Sequence, residues 1–165
     1  MDETKIYDWI NSITSLTTIR SNDDGPRPSG NFATWQVISS VPADYSDVTW
    51  AQAAYNVNYT HTRKYRVTVS VNIFASTGAA LLNNLVQSNY KPSIRTLLTP
   101  AIVLLGAGQI QDLSRVMDTK FVPQYQADFN FAVFETYTYT EINSIVDDFT
   151  ITGDVGDETV TIPAP

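Results

Sequence analysis

Residues 63–74 read RKYRVTVSVNIF, and apolar and polar positions alternate along the whole stretch. Tyr65, Val67, Val69, Val71 and Ile73 fall on one side, and Lys64, Arg66, Thr68, Ser70 and Asn72 on the other. Successive side chains of a strand point to opposite faces, so the stretch predicts a strand with one dry face and one wet or contact face. β-Branched residues dominate the dry side, as a pleated packing surface favours. Near the start of the chain the period changes. Ile6, Trp9, Ile10 and Ile13 stand at i, i+3, i+4 and i+7 and predict an amphipathic helix over 4–15. Asp2 and Glu3 sit where a helix N-terminus favours negative charge. Leu16 and Ile19 carry the chain onward along the core.

Residues 21–30, SNDDGPRPSG, predict a turn-rich loop. Gly25 permits positive φ, while Pro26 and Pro28 fix φ and remove two donors. Arg27 is held extended between the prolines, either as part of a connector or presented to a neighbouring chain. Residues 32–38, FATWQVI, predict a short strand with Ala33, Trp35 and Val37 on one face. Residues 39–60 lack strong periodicity yet carry Tyr45, Trp50, Tyr55 and Tyr59. A loop of that length in a compact domain is functional or disordered; the alternative is a hairpin arm whose ends continue the flanking strands.

After residue 75, Ser76-Thr77-Gly78 offers an N-cap for a second helix bearing Ala80, Leu81, Leu82, Leu85 and Val86. Tyr90-Lys91-Pro92-Ser93 breaks it, and Ser93 caps a short third helix that Pro100 ends. Residues 101–105 form an apolar strand, Gly106-Ala107-Gly108 a turn, and 109–113 a segment that pairs back or follows an edge. Residues 121–135 are strand-like, with Phe129, Phe131 and Val133 on one face and Asp128 and Asn130 on the other. The alternation runs on through 137–140, and Ile145, Phe149 and Ile151 support a last strand. The chain over 153–165 is acidic, aperiodic and marked by Gly and Pro, and reads as a flexible or partner-ordered tail. Strands adjacent in sequence suit antiparallel pairing, with the helices on one face. The fold class is α+β: a mainly antiparallel sheet in one domain over 1–152, an extended loop or arm at 41–60, and the tail.

Composition narrows the function classes. Nine Tyr contribute to an aromatic fraction of 12%, which serves cores and subunit contacts alike. With no cysteine, disulfides, thiol nucleophiles and thiolate metal sites are excluded. The polar start MDETK does not read as an export signal, and the longest apolar run, 101–105, is too short to cross a membrane. Net charge is −7, unevenly spread: all ten Lys and Arg lie at or before Lys120, against nine acids, and eight acids with no base follow. Tight grip on a phosphate backbone needs Lys and Arg, so the acidic last third argues against nucleic-acid binding and suits DNA that merely slides past.

Candidate chemistry is thin. His61 is the only histidine, so a Ser-His-Asp site or a His-containing metal site has to use it, and no G-x-S-x-G elbow accompanies it. Gly106-Ala107-Gly108 lacks the third glycine of a dinucleotide loop, and no P-loop is present. The carboxylate pairs Glu135/Glu141 and Asp147/Asp148 fit solvated strand ends better than a glycosidase pair. Asp154, Asp157 and Glu158 lack EF-hand spacing. No catalytic, cofactor or metal site is therefore assigned. The small basic cluster at Arg63, Lys64 and Arg66 reads as a sheet face or subunit contact.

Taken together, these pieces have a familiar order. A helix with Trp9 precedes the loop NDDGPRPSG and the strand FATWQVI. RKYRVTVSVNIF, a Leu-rich helix and PSIRTLL follow, then GAGQIQDLSRVMDTKFVPQYQADFNFAV and a final strand. Over 6–152 the chain resembles the tail- or neck-terminator proteins of tailed bacteriophages. The most telling parts are the loop at 22–28, QDLS at 111–114 and the aromatic strand at 127–134. The resemblance implies a virion structural protein, made in the host cytoplasm, and not an enzyme. Such a protein forms a ring, usually of six, at the head-proximal end of the tail; the ring terminates the tube and joins it to the neck or head connector. It implies self-association and partners in the tail tube protein and the head-tail connector, with the tail sheath a further candidate. DNA passes through the channel without sequence-specific binding, and neither membrane nor cofactor is involved. Rival readings are another neck or tail protein, such as a head-completion or tube subunit, and a small hydrolase using His61. A closed ring needs two unlike surfaces per subunit. The candidates are Arg27, Trp50 and Tyr55, the strand start Lys64 and Arg66, and the tail acids Asp154, Asp157 and Glu158.

Overall fold

The computed structural model describes residues 2–22, 25–26, 28–43, 47–53, 56–117 and 120–142. Among these residues are three helices, α1 (Glu3–Thr14), α2 (Gly78–Gln87) and α3 (Pro92–Leu98), and a 3₁₀ turn at Ser88–Tyr90. The strands are β1 (Thr17–Arg20), β2 (Phe32–Pro42), β3 (Asp47–Ala53), β4 (Asn56–Phe74), β5 (Ile102–Ala107), β6 (Gln111–Asp112), β7 (Arg115–Met117), β8 (Lys120–Val122) and β9 (Tyr125–Ile142). The chain forms two compact units. One comprises Met1–Ser46 and Thr62–Glu135, the other Asp47–His61 and the chain from Thr136.

In the first unit the strand order is β1-β2-β4-β9-β5, with β6 on β9 and the separate hairpin β7-β8. β2 against β4 and β5 against β9 are antiparallel, while β1 lies parallel to β2. The class is α+β, with a mostly antiparallel sheet and the N-terminal helix foreseen from the sequence. Val67, Val69, Val71 and Ile73 of β4 are buried, beside Ala33 and Trp35 of β2, Phe129, Phe131 and Val133 of β9, and Ile102 and Leu104 of β5. Ile6, Trp9 and Ile10 of α1, Leu82 and Leu85 of α2, and Leu98 of α3 complete this cluster. The strand period of two and the helix period of about 3.6 thus bring their apolar positions into one core.

Trp9 is its centre. The ring is fully buried, edge-on to Phe129 at 5.1 Å and to Phe131 at 5.4 Å. Its indole Nε1 donates to Ser88 Oγ at 2.9 Å, and Ser88 Oγ donates to the Leu85 carbonyl at 2.6 Å. The polar tip of a buried Trp is thereby satisfied by the turn that ends α2. Asp2 caps α1 by accepting from the Thr4 N–H at 3.1 Å. Ser15 closes the helix in the left-handed region at φ 52°, its N–H reaching the Asn11 carbonyl at 2.9 Å. Gly78 opens α2 where a Cβ would lie 2.5 Å from the Tyr125 ring, so only glycine lets the helix start this close to β9.

Several local expectations are corrected. β1 is a strand where the sequence suggested only continuing chain. Thr77 makes no side-chain cap to α2. Ser93 is not the cap of α3, which starts at Pro92 after Lys91, because proline at the first helical position needs no partner for a missing N–H. Gly106 and Ala107 do not turn the chain. They continue β5 past a register shift between Leu104 and Gly106. Phe121 belongs to β8, a hairpin strand, and not to the strand carrying Phe129. The flanks of the expected loop are strand: β2 runs to Pro42, β4 starts at Asn56, and β3 pairs with β4. The expected last strand near Ile145, Phe149 and Ile151 lies outside the described residues.

Candidate functional site

The face of the first unit's sheet opposite the helices is built from the polar positions of the same strands. Thr34 and Gln36 of β2 pair with Asn72 and Ser70 of β4. On this face two side-chain bonds join β4 to β9, Thr68 Oγ1 donating to Asn130 Oδ1 at 3.0 Å and Gln126 Nε2 to Ser70 Oγ at 2.9 Å, and Gln124 Nε2, just before β9, donates to Asn72 Oδ1 at 3.1 Å. Ser70 is only 1% exposed, so this face is more enclosed than a simply wet surface. Phe32 and Phe74 stack at 4.5 Å beside these amides and hydroxyls. Together with Ile19 and Arg20 they border an open concavity of about 530 Å³. Arg20 is paired with Glu3 at 3.1 Å and lies 5.8 Å from the Trp35 ring. Neutral hydrogen-bonding groups offer directional contact, without the charge that grips a phosphate.

Lys64 and Arg66 sit on the same side of β4 as Thr68, further toward its start, and both are exposed. Arg66 stands opposite Val41 of β2, and the Lys64 carbonyl accepts from the Ala43 N–H at 2.9 Å. The backbone is thus held while the charged heads remain available. Val116 and Phe121, opposite each other in the β7-β8 hairpin, are 69% and 66% exposed. The sequence reading missed this pair, because strands of three residues are too short to show alternation.

The second unit has no helix among its described residues. Tyr139 of β9 stacks on Tyr59 at 5.2 Å and on His61 at 5.4 Å, and His61 Nε2 lies 3.1 Å from the Tyr139 hydroxyl. Thr140 Oγ1 donates to Asn58 Oδ1 at 2.7 Å. Trp50 of β3 is 67% exposed, and Val48 and Tyr137 are also exposed. Exposed aromatic side chains are large apolar surfaces with few rotamers to freeze, a combination favoured in protein contacts.

His61 therefore has an aromatic neighbour where a nucleophile site needs a carboxylate. Among the described residues no three His, Asp or Glu side chains converge to hold a metal. Arg27, Tyr55, Asp154, Asp157 and Glu158 lie outside the described residues, as do the pair Asp147 and Asp148 and the side chain of Glu141. Of the contact candidates read from the sequence, Trp50 in the second unit and Lys64 with Arg66 in the first are placed, all exposed.

The family described as phage neck terminator protein matches residues 3–157. The chain belongs to this family. No curated protein matches it. Proteins of this family are structural components of the phage virion, associated with other tail and head proteins.

Proposed function

We propose that this neck terminator forms a closed ring of six copies at the head-proximal end of the phage tail. The ring ends polymerisation of the tail tube and joins it to the neck or head connector, and DNA passes through its channel without sequence recognition. The family match over 3–157 carries this reading. Support comes from exposed Trp50 and Tyr137 on strands without helix cover, and from the exposed cations Lys64 and Arg66. Ring closure requires a head-to-tail contact between unlike surfaces. Eight acids and no base follow Lys120, so Lys64 and Arg66 of one copy face the acidic last third of the next. Arg27, Tyr55, Asp154, Asp157 and Glu158 belong to the same contact.

The test is mass photometry of the purified protein combined with negative-stain imaging on tail tubes. Rings, or a monomer that forms rings only on tube ends, are expected. A protein that never caps tubes at high concentration overturns the reading, as does one that stacks into open-ended fibres like a tube subunit. Lys64→Glu with Arg66→Glu should weaken ring assembly and leave the fold intact.

A further inference from the structure

The pairing of Gln111 with Gln126 runs without a shift through the bond from the Leu113 N–H to the Gln124 carbonyl and on to Met117 opposite Lys120. β6 and β7 thus form one ribbon with β8 and the start of β9. In that register Val116 and Phe121 stay on the face of β9 that carries Tyr125, Ala127 and Phe129, its core face. α2 opens beside Tyr125, at Gly78. Further out along the ribbon the same face is bare, with Val116 and Phe121 69% and 66% exposed. β7 and β8 pair only with each other among the described residues. Alternation from the Leu113 bond turns the N–H and C=O groups of Val116 and Phe121 to the outer edges of the hairpin, where no described group bonds them. An apolar pair flanked by open backbone groups is a surface made for another chain.

The concavity on the opposite face of the sheet has the matching chemistry. Ile19 and the ring of Phe74 give it apolar surface. Thr34 and Gln36 are half-buried there and make no side-chain bond among the described residues. Gln124 and Gln126 direct their Nε2 donors to Asn72 and Ser70 and keep their amide oxygens as acceptors. Arg20 at the rim is balanced by Glu3, so an uncharged occupant fits best. We infer that this concavity receives the β7-β8 hairpin of a second copy of this chain. Phe121 and Val116 pack against Phe74 and Ile19, and their outward backbone groups bond to Thr34 and Gln36. The concavity's own hairpin is not the occupant. Gln124 and Gln126 face the concavity, and Val116 and Phe121 lie on the other face of the same ribbon. A hairpin on one copy and a concavity on the next are two unlike surfaces, as a head-to-tail contact requires. The volume of about 530 Å³ has room for both side chains. Two side chains bury far less than the roughly 800 Å² per partner of a stable complex, so the contact forms on assembly, where each copy gives one hairpin and receives one. The inference rests on the ring reading only for the presence of a neighbouring copy.

The chain has no cysteine, so introduced cysteines report the contact cleanly. Full-length Val116→Cys protein is mixed with full-length Gln36→Cys protein and treated with a short bismaleimide under assembly conditions. Cross-linked dimers containing one chain of each kind are expected. Adding Phe121→Asp to the Val116→Cys chain should cut their yield about tenfold or more, because a carboxylate loses its hydration against apolar rings. Its urea midpoint should match the parent's, since Phe121 is exposed. In the assembled full chain the thiol of Gln36→Cys should label slowly with a maleimide, and it should label fast when every copy also carries Phe121→Asp. No mixed dimer overturns the inference, as does a yield that Phe121→Asp leaves unchanged. A fallen urea midpoint for Phe121→Asp overturns it too, because the hairpin is then covered within its own chain. Negative-stain images of the same samples separate the two ideas: rings without mixed dimers leave the ring reading standing and sink this one, and mixed dimers without rings do the reverse.

Discussion

β4 is one strand with two surroundings. From Val67 to Ile73 its alternate residues are at most 2% exposed and lie under three helices. Between Asn58 and His61, in the second unit, the neighbours on β9 are Tyr139 and Thr140, and the contacts are ring stacks and a hydroxyl bond. Both stretches obey the same backbone rules. Only the first was given a helix layer to exclude water, so only there does alternation become core. In the second unit Tyr59 and His61 are half-buried, while Tyr137 and Tyr139 of β9 and Trp50 of β3 stay exposed. That arrangement suits a surface to be covered by another protein.

The sharpest way to break this contrast is to empty the core. Trp9→Ala removes the ring lodged between Phe129 and Phe131 and should cost about 3–5 kcal/mol of unfolding free energy, measured by urea denaturation. A loss below about 1 kcal/mol would mean that the helix layer does not hold the sheet. Ser88→Ala is a smaller probe of the same region. It leaves the buried Trp9 Nε1–H without its acceptor and should cost about 1–3 kcal/mol. Stability equal to the parent would show that water reaches that site.

The opposite region should answer oppositely. Trp50→Ala and Tyr139→Ala should change unfolding of the first unit by no more than about 0.5 kcal/mol, as surface changes usually do. They should lower the fraction of protein found as rings or on tube ends. If denaturation midpoints fall as far as for Trp9→Ala, the second unit is part of the structural core; if assembly is untouched, its aromatics are idle surface.

The same contrast explains what could be read in advance. α1 was legible because Ile6, Trp9 and Ile10 repeat at helical spacing and all three are buried. The buried half of β4 and Phe129, Phe131 and Val133 were legible for the matching reason. Strand length was not, because beyond the helix layer both faces of β2, β3 and β9 are open and no apolar face marks them. β1 hides because Thr17-Thr18-Ile19-Arg20 has one apolar residue in four, and its partner comes from parallel pairing to β2. Of the contact candidates, Trp50, Lys64 and Arg66 could be singled out as aromatic or charged residues in otherwise plain surroundings.

The smallest expected effect lies where hydrogen bonds stand in for burial. At the base of the β7-β8 hairpin, Asp112 Oδ1 accepts from the Ser114 N–H at 2.9 Å, and Ser114 Oγ accepts from the Gln124 N–H at 3.1 Å. The Leu113 N–H reaches the Gln124 carbonyl at 2.8 Å. The Ser114 hydroxyl and then its backbone N–H hold the Asp112 carboxyl below its ordinary range, against a minor opposing effect of desolvation. A lowered folded-state value means that the carboxylate's contribution is present above the unfolded pKa of about 3.9 and is lost as pH falls through the folded value. NMR titration should therefore show an Asp112 midpoint below that of a free aspartate. Acidification through it should speed amide exchange at Ser114 while the core amides of β4 stay protected. Asp112→Asn should abolish this pH dependence, with no change in the unfolding of the first unit's core. An Asp112 midpoint at the ordinary value would mean that the hairpin base is held by its backbone bonds alone. The line between regions fixed by burial and regions fixed by polar contacts would then lie past Gln124, within β9.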